Sequence, residues 1–288
     1  MKTTSFGSKT ITGARERGAE PGSNLMGIIQ SVWGYRGFIL GSVQREFQVS
    51  YKNSMLGAAW TVIRPLVMIV VYTVVFSQIM RSKLPGVDSE FAYSIYLCAG
   101  VLPWSFFTEA VTRGQNVFLE NATLLKKVQF PLICLPVIAM ANALVNFVII
   151  FVLFLIFLVI TQSFPGVVFV ALIPVLALQV LLTLGMGLTL GVLYVFFRDV
   201  GQLTAVVLQF WFWVTPVVYP LNILPPFFQQ LISHNPLTHL MGAYQTVLVN
   251  GQWPDWSSLW SVALLAVFFC LAGTYLFKKH AGEMADEL

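Results

Sequence analysis

Charge is what this sequence has least of. Of its 288 residues only 10% are Asp, Glu, Lys or Arg, while 57% are hydrophobic. Soluble domains carry about 25% charge and about 45–50% apolar residues, so the chain reads as one that crosses a bilayer several times. Cysteine is scarce too. Cys98, Cys134 and Cys270 lie in or beside apolar runs, and no two share a CxxC or CxH spacing. A disulfide framework or zinc site is thereby disfavoured, and the three are expected to act as small buried hydrophobes. Chemistry-bearing motifs are missing as well. There is no GxxxxGK[ST] phosphate loop, no GxSxG elbow and no HExxH. Asp88, Glu90, Glu109, Glu120, Asp199 and Asp255 are scattered and form no DxxD pair, the kind of cluster that holds metal-bound pyrophosphate. Glu109 and Asp199 fall near span ends, so the span centres lack the ionisable groups an ion-coupled pump needs. No catalytic residue, metal ligand or cofactor of its own is expected. If the chain works on a cargo, its energy arrives through a partner.

What is there is apolar length. Six runs approach the ~20 residues a spanning helix needs: Trp60–Ile79, Phe91–Val111, Leu132–Ile160, Val167–Phe197, Leu203–Tyr219 and Leu259–Phe277. Pro103 and Pro174 predict kinks in the second and fourth. With the N-terminus inside, Arg36, Arg45, Lys52, Arg64, Arg113, Lys126, Lys127, Arg198, Lys278 and Lys279 all fall inside. Only Arg81 and Lys83 fall outside, and Pro220–Ser258 has no Lys or Arg at all. The positive-inside rule then puts both termini in the cytoplasm. Asn121-Ala122-Thr123 fits a glycosylation pattern, but an inside loop never meets that machinery.

Several segments are neither span nor simple loop. Residues 1–24 are polar, lack the apolar core of a signal peptide and are expected to be a flexible cytoplasmic tail. Within 25–59, Leu25, Ile28, Ile29, Val32, Ile39, Val43 and Phe47 recur at helical spacing beside Arg36, Arg45 and Glu46. This predicts an amphipathic helix in the membrane interface with Trp33 and Tyr35 at headgroup depth. The six-span domain is expected over 60–278, and 279–288 forms a cytoplasmic C-terminus. Inside it, 220–256 holds apolar stretches too short to span, broken by Pro220, Pro225, Pro226, Pro236 and Pro254; short helices that enter the outer leaflet and turn back are expected. His234 and His239 are five apart, a spacing that suits hydrogen bonding better than metal ligation. GMGLTLG at Gly185–Gly191 contains a GxxxG that serves either internal packing or a dimer seam. Near 117–129, Glu120-Asn121-Ala122-Thr123-Leu124-Leu125-Lys126-Lys127 is either a short docking helix stopped by Pro131 or a solvated linker with positive anchors.

The order of FQVSYKNSMLGAAWTVIRPL, AGVLPWSFF, NATLLKKVQFPLICLPV, VFFRDVGQL, TPVVYPLNILP and SHNPLTHLMGAYQ, covering about Leu25 to Phe277, resembles the type-2 ABC transporter permeases that export polysaccharides: the O-antigen (Wzm-type), capsule and teichoic-acid group. The resemblance implies an all-α integral membrane protein of six transmembrane helices, with an N-terminal interfacial helix and short re-entrant helices between spans five and six. It implies a homodimer in the bacterial inner membrane, working with two copies of a cytoplasmic ATPase that binds ATP and Mg, on a lipid-linked polysaccharide, with no nucleic-acid partner. The coupling helix then falls on Glu120–Val128, making Glu120, Asn121, Leu124, Lys126 and Lys127 the contacts with the ATPase. Trp33, Tyr35, Arg36 and Arg45 mark the interfacial helix. Tyr72 and Phe76 of the first span and Gln209, Phe210, Trp213 and Tyr219 of the fifth become candidates for the channel lining, where rings and amides offer a neutral glycan many weak sites. The same rings are also candidates for lipid-facing belts. Two rival functions are a membrane transferase on lipid-linked sugars, which would need Asp199 or Glu109, and a permease for a drug or lipid.

Overall fold

The computed structural model describes residues 33–51, 59–72, 74–75, 91–122 and 132–287. Among them every regular element is helical. In chain order these are α1 (Arg36–Tyr51), α2 (Ala59–Tyr72), α3 (Ala92–Glu120), α4 (Cys134–Ile160), α5 (Leu172–Phe196), α6 (Asp199–Val214), α7 (Pro226–Ser233), α8 (Pro236–Asn250), α9 (Trp260–His280) and α10 (Met284–Glu287). A 3-10 helix, Gly166–Ala171, leads into α5.

Four helical stretches among the described residues are long and apolar enough to cross a membrane: α3, α4, Gly166–Phe196 and α9. The described part of α2 has 14 residues and α6 has 16. At 1.5 Å per residue they rise about 21 and 24 Å, short of the ~30 Å hydrocarbon core. The fifth apolar run therefore differs from its expected Leu203–Tyr219. Its helix starts at Asp199 and stops at Val214, and 215–219 is a turn.

The second span differs in the opposite direction. Its helix continues nine residues past Val111, to Glu120, so the first half of the polar segment is helix. Hydropathy falls there because the helix leaves the apolar slab, yet its hydrogen-bond ladder runs on. The 29 residues of α3 rise about 43 Å, more than ~30 Å of hydrocarbon requires. Pro103 lies inside α3. Pro174 is the third residue of α5, just after the junction with the 3-10 helix Gly166–Ala171.

Packing centres on α5, which lies between α3 and α9. Lipid supplies no hydrophobic drive between helices, so close backbone approach and hydrogen bonds hold such a bundle. GMGLTLG supplies the approach, and it is internal packing. A Cβ at Gly185 would sit 2.6 Å from the Cys270 backbone N, and one at Gly191 would sit 2.7 Å from the Gly114 carbonyl. A Cβ at Gly114 would come within 2.7 Å of the Gly187 Cα. Thr189 donates to the Gly185 carbonyl at 2.8 Å and to the Phe269 carbonyl of α9 at 3.1 Å.

Helix α8 is too short to span but enters the core. Leu237, Leu240, Met241, Tyr244, Val247 and Leu248 are buried against α3 and α5. The Tyr244 hydroxyl donates to Gln179 Oε1 at 2.7 Å, and Gln179 Nε2 donates to the Pro103 carbonyl at 2.7 Å. This chain rivets α8, α5 and α3 where no water can serve any of the three groups. The cysteines follow expectation at two sites: Cys98 and Cys134 are buried and Cys270 is half-buried, all three as free thiols.

The ends of the bundle are distinct. Val117 and Phe118 of α3, Leu135 and Ala139 of α4, Val192 and Val195 of α5 and Phe277 of α9 form one cluster with Met284 of α10. The segments bearing Arg113, Arg198, Lys278 and Lys279 thus share one end, as alternating hairpins require. The opposite end holds the start of α3 and the turn after α6.

Candidate functional site

At the basic end three helices meet in one polar network. Arg113 Nη1 of α3 donates to Glu46 Oε1 of α1 at 2.7 Å, and Arg113 Nε donates to Glu109 Oε1 at 2.8 Å. From α4, Asn146 Nδ2 donates to the same Glu109 oxygen at 2.8 Å, and Asn142 Nδ2 donates to Glu46 Oε2. Two carboxylates therefore share one guanidinium and two amides. Sequence reasoning missed this network, although Asn142 and Asn146, spaced i, i+4 in an otherwise apolar helix, were the available signal. Glu109, a residue a transferase would need, is committed to Arg113 and Asn146. Asp199 is exposed at the start of α6.

The network docks α1. Ile39 is buried against Cys134 and Ile138 of α4, with Val43 packed beside them. Trp33 and Tyr35 are exposed, as are Arg36 and Arg45. Arg36 donates to the Trp33 carbonyl at 3.1 Å and stacks 5.5 Å above its ring. Leu25, Ile28, Ile29 and Val32 and the Phe47 side chain lie outside the described residues.

The expected coupling residues divide. Glu120 is the last residue of α3 and Asn121 caps it, its Nδ2 donating to the Val117 carbonyl at 2.8 Å. Leu124, Lys126 and Lys127 lie outside the described residues. The helix that presents this segment is anchored: Val111, Gln115, Val117 and Phe118 are buried, and Phe118 stacks on Phe277 at 6.1 Å.

The rings of α6 sort by face. Gln209, Phe210 and Trp213 point outward, together with Leu203, Val206, Val207 and Val214. That is an i, i+3, i+4, i+7 stripe on which Phe210 is 68% and Trp213 62% exposed. Trp211 and Phe212 point inward. Trp211 meets Phe107 edge-on at 6.0 Å and Phe212 meets Trp104 at 5.6 Å. Tyr219 is half-buried, and its hydroxyl donates to the Trp213 carbonyl at 2.7 Å. Phe76 and the Tyr72 side chain lie outside the described residues.

The turn after α6 is irregular backbone, which at membrane depth must be covered by protein donors. It is covered. Tyr93 donates to the Val218 carbonyl at 3.0 Å and Tyr96 to the Tyr219 carbonyl at 2.8 Å. Gln245 donates to the Pro216 carbonyl at 3.2 Å. Asn235 ties the same turn to α8: it caps that helix at Leu237 N, accepts from Trp211 Nε1 at 3.0 Å and donates to Thr215 at 2.9 Å. His234 Nδ1 donates to the Gln230 carbonyl at 2.7 Å, a hydrogen-bonding role as expected. No group of three His, Cys, Asp or Glu positioned for a metal occurs among the described residues.

The sequence that builds this bundle, from the docked N-terminal helix to the two short helices before the last span, matches one family model across most of its length. The model for the ABC-2 type transporter family matches residues 39–249. The chain belongs to the ABC-2 type transporter family. Among its relatives, the O-antigen export system permease protein RfbA of Myxococcus xanthus is 30% identical over 267 residues, covering 92% of this chain and all of the relative. The protein of the same name from Klebsiella pneumoniae is 29% identical over 85% of this chain and 92% of its own length. The polysialic acid transport protein KpsM of Escherichia coli is 20% identical over 83% of this chain and 92% of its own. The elements described above, from Ile39 in α1 to Val249 in α8, are those the ABC-2 match covers.

Proposed function

We propose that this ABC-2 chain is the permease subunit of an exporter that moves a lipid-linked polysaccharide, O-antigen first among candidates, across the bacterial inner membrane. Its energy comes from ATP hydrolysis in a separate subunit. The observation that carries the reading is the full-length likeness to a permease named for O-antigen export, reinforced by the weaker likeness to a polysialic acid transport protein. Another surface polysaccharide, such as a capsule, is the alternative cargo.

In this reading α2 and α6 are completed as spans by neighbouring segments, giving six spans with both termini in the cytoplasm. Helices α7 and α8 enter from the outer side and turn back. Two copies of the chain pair, and the outward stripe of α6, with Gln209, Phe210 and Trp213, lines the path with Tyr72 and Phe76 of the first span. A path without fixed charge suits a neutral polymer that must slide, because many weak contacts release what one tight site would trap. Helix α1 lies in the cytoplasmic interface. Glu120, Asn121, Leu124, Lys126 and Lys127 receive the ATPase, and α3 carries the push inward because its end next to them, at Val117 and Phe118, is packed against α4, α5 and α9.

Co-purification tests the reading. The permease, extracted with an ATP-binding-cassette subunit encoded beside it, is expected to yield a complex of two copies of each chain. A permease that pairs with no such ATPase under any condition contradicts it.

A further inference from the structure

At the end of α3 opposite the Arg113 network lies a cavity of about 460 Å³ between α8, the turn after α6 and the loop before α9. Its volume is that of a small-ligand site, about 300–1,000 Å³. Its walls are unusual for this protein. His239, Thr246 and Asn250 stand on one face of α8, Asn222 lines the cavity from the 3-10 helix Leu221–Ile223 that follows the turn, and Asp255 stands at the rim. Among the described residues the side chains of Asn222, His239, Thr246 and Asn250 make no hydrogen bond within the protein; Asn222 and Asn250 are exposed and His239 and Thr246 half-buried, all four open to a ligand. Gly242 lies between His239 and Thr246, and a Cβ there would meet nothing within 4 Å, so the helix leaves the floor open. The deeper wall is rigid, since Tyr96 and Gln245 are already spent on the carbonyls of Pro216, Val217 and Tyr219.

The chemistry selects a ligand class. Two amides, an imidazole, a hydroxyl and a carboxylate offer alternating donors and acceptors, the set that pairs with the vicinal hydroxyls of a pyranose. No Lys or Arg lines the cavity, and none occurs anywhere from Pro220 to Ser258, so the lining holds no permanent cation to offset the charge of a phosphate or uronate. Asp255 adds a negative charge: the hydroxyl and N–H of Ser257 hold its carboxyl below the ordinary carboxylate range. The lining therefore favours neutral or amino sugars over acidic ones.

We infer that this cavity binds a single neutral sugar residue, through Asn222, His239, Thr246, Asn250 and Asp255, at the end of the bundle opposite the basic cluster. It rests on the export reading for its place in transport, as a station for glycan emerging on the outer side, but not for the chemistry of the ligand. The test is saturation-transfer NMR on the full-length chain in lipid nanodiscs, with methyl glycosides of mannose, galactose, rhamnose and N-acetylglucosamine as probes and inorganic phosphate as the control. At least one glycoside is expected to receive transfer, and phosphate is expected not to compete. His239→Ala and Asn250→Ala are expected to weaken binding roughly tenfold each, as loss of one ligand hydrogen bond does. Gly242→Leu, which fills open space and improves helix propensity, is expected to abolish binding while size and helicity are unchanged. Transfer to none of the glycosides, or equal transfer in wild type and Gly242→Leu, overturns the inference. Glycoside binding lost in Gly242→Leu upholds the site even if a deletion strain keeps its surface glycan, a result that would sink the export reading instead.

Discussion

Among the described residues Arg113 is the one cation between Glu46 and Glu109, which reach it from α1 and from its own helix α3. Replacing it leaves two carboxylates facing each other, whereas replacing Glu46 leaves a neutralised pair. All three side chains are about one-third or more exposed, which screens the attraction, so the gain lies in docking α1 more than in global stability. Arg113→Gln is expected to cost about 0.2–1 kcal/mol, with a small fall in the thermal midpoint in detergent. Glu46→Gln costs less, and the double variant less than the sum because the repulsion is gone. Strict additivity in that cycle would deny the coupling. Gly114 belongs to the same scale. A Cβ there would meet the Gly187 Cα at 2.7 Å, while Gly41 in α1 has nothing within 4 Å. Gly114→Ala is expected to reduce the yield of folded permease, and Gly41→Ala to be tolerated or to stabilise by about 0.5–1 kcal/mol. Fluorescence size-exclusion profiles distinguish the two outcomes.

Helix α6 sets two opposite expectations along one sequence of rings. Trp211 holds Asn235, which in turn caps α8 and bonds Thr215, so Trp211→Ala is expected to lower the thermal midpoint sharply. Phe210 and Trp213 touch none of this. Phe210→Ala with Trp213→Ala is expected to keep that midpoint within a few degrees while reducing surface glycan severalfold; unchanged glycan would remove the stripe from the path. Four adjacent rings point all round a helix, so the sequence alone did not show which faced inward, and the partners that decide it come from α3 and from Asn235. Legibility was uneven elsewhere for similar reasons. The apolar runs, Pro103 and the gathering of basic residues at one end were readable because each depends on local composition. The end of the second span was not, because Val111–Glu120 is polar by composition yet packed through Gly114 and Phe118. The Glu46 network was missed because its members come from three separate helices, and the cavity because Tyr96 and His239 are far apart in sequence. GMGLTLG was readable as a close-approach motif, but only the geometry of Gly114 and Cys270 shows that its partners are inside the chain.

Among the described residues one end of the molecule is basic and organised around charge pairs and the opposite end is rich in neutral hydrogen-bonding groups, joined by the 29 residues of α3. That polarity suits a device driven from one side that releases a neutral polymer on the other. Reversing Lys126 and Lys127 to Glu is expected to uncouple ATP hydrolysis from export or loosen the ATPase, with membrane insertion intact. Normal surface glycan in that variant would take the coupling role away from this segment. The central claim is tested most directly by deleting the gene and following one lipid-linked glycan on both sides of the inner membrane. The account predicts that a single surface polysaccharide disappears while its completed, lipid-linked precursor accumulates in the cytoplasmic leaflet, and that the wild-type gene restores export. Loss of the polysaccharide with no accumulated precursor would point to a synthetic enzyme, and an unchanged surface would contradict the account outright.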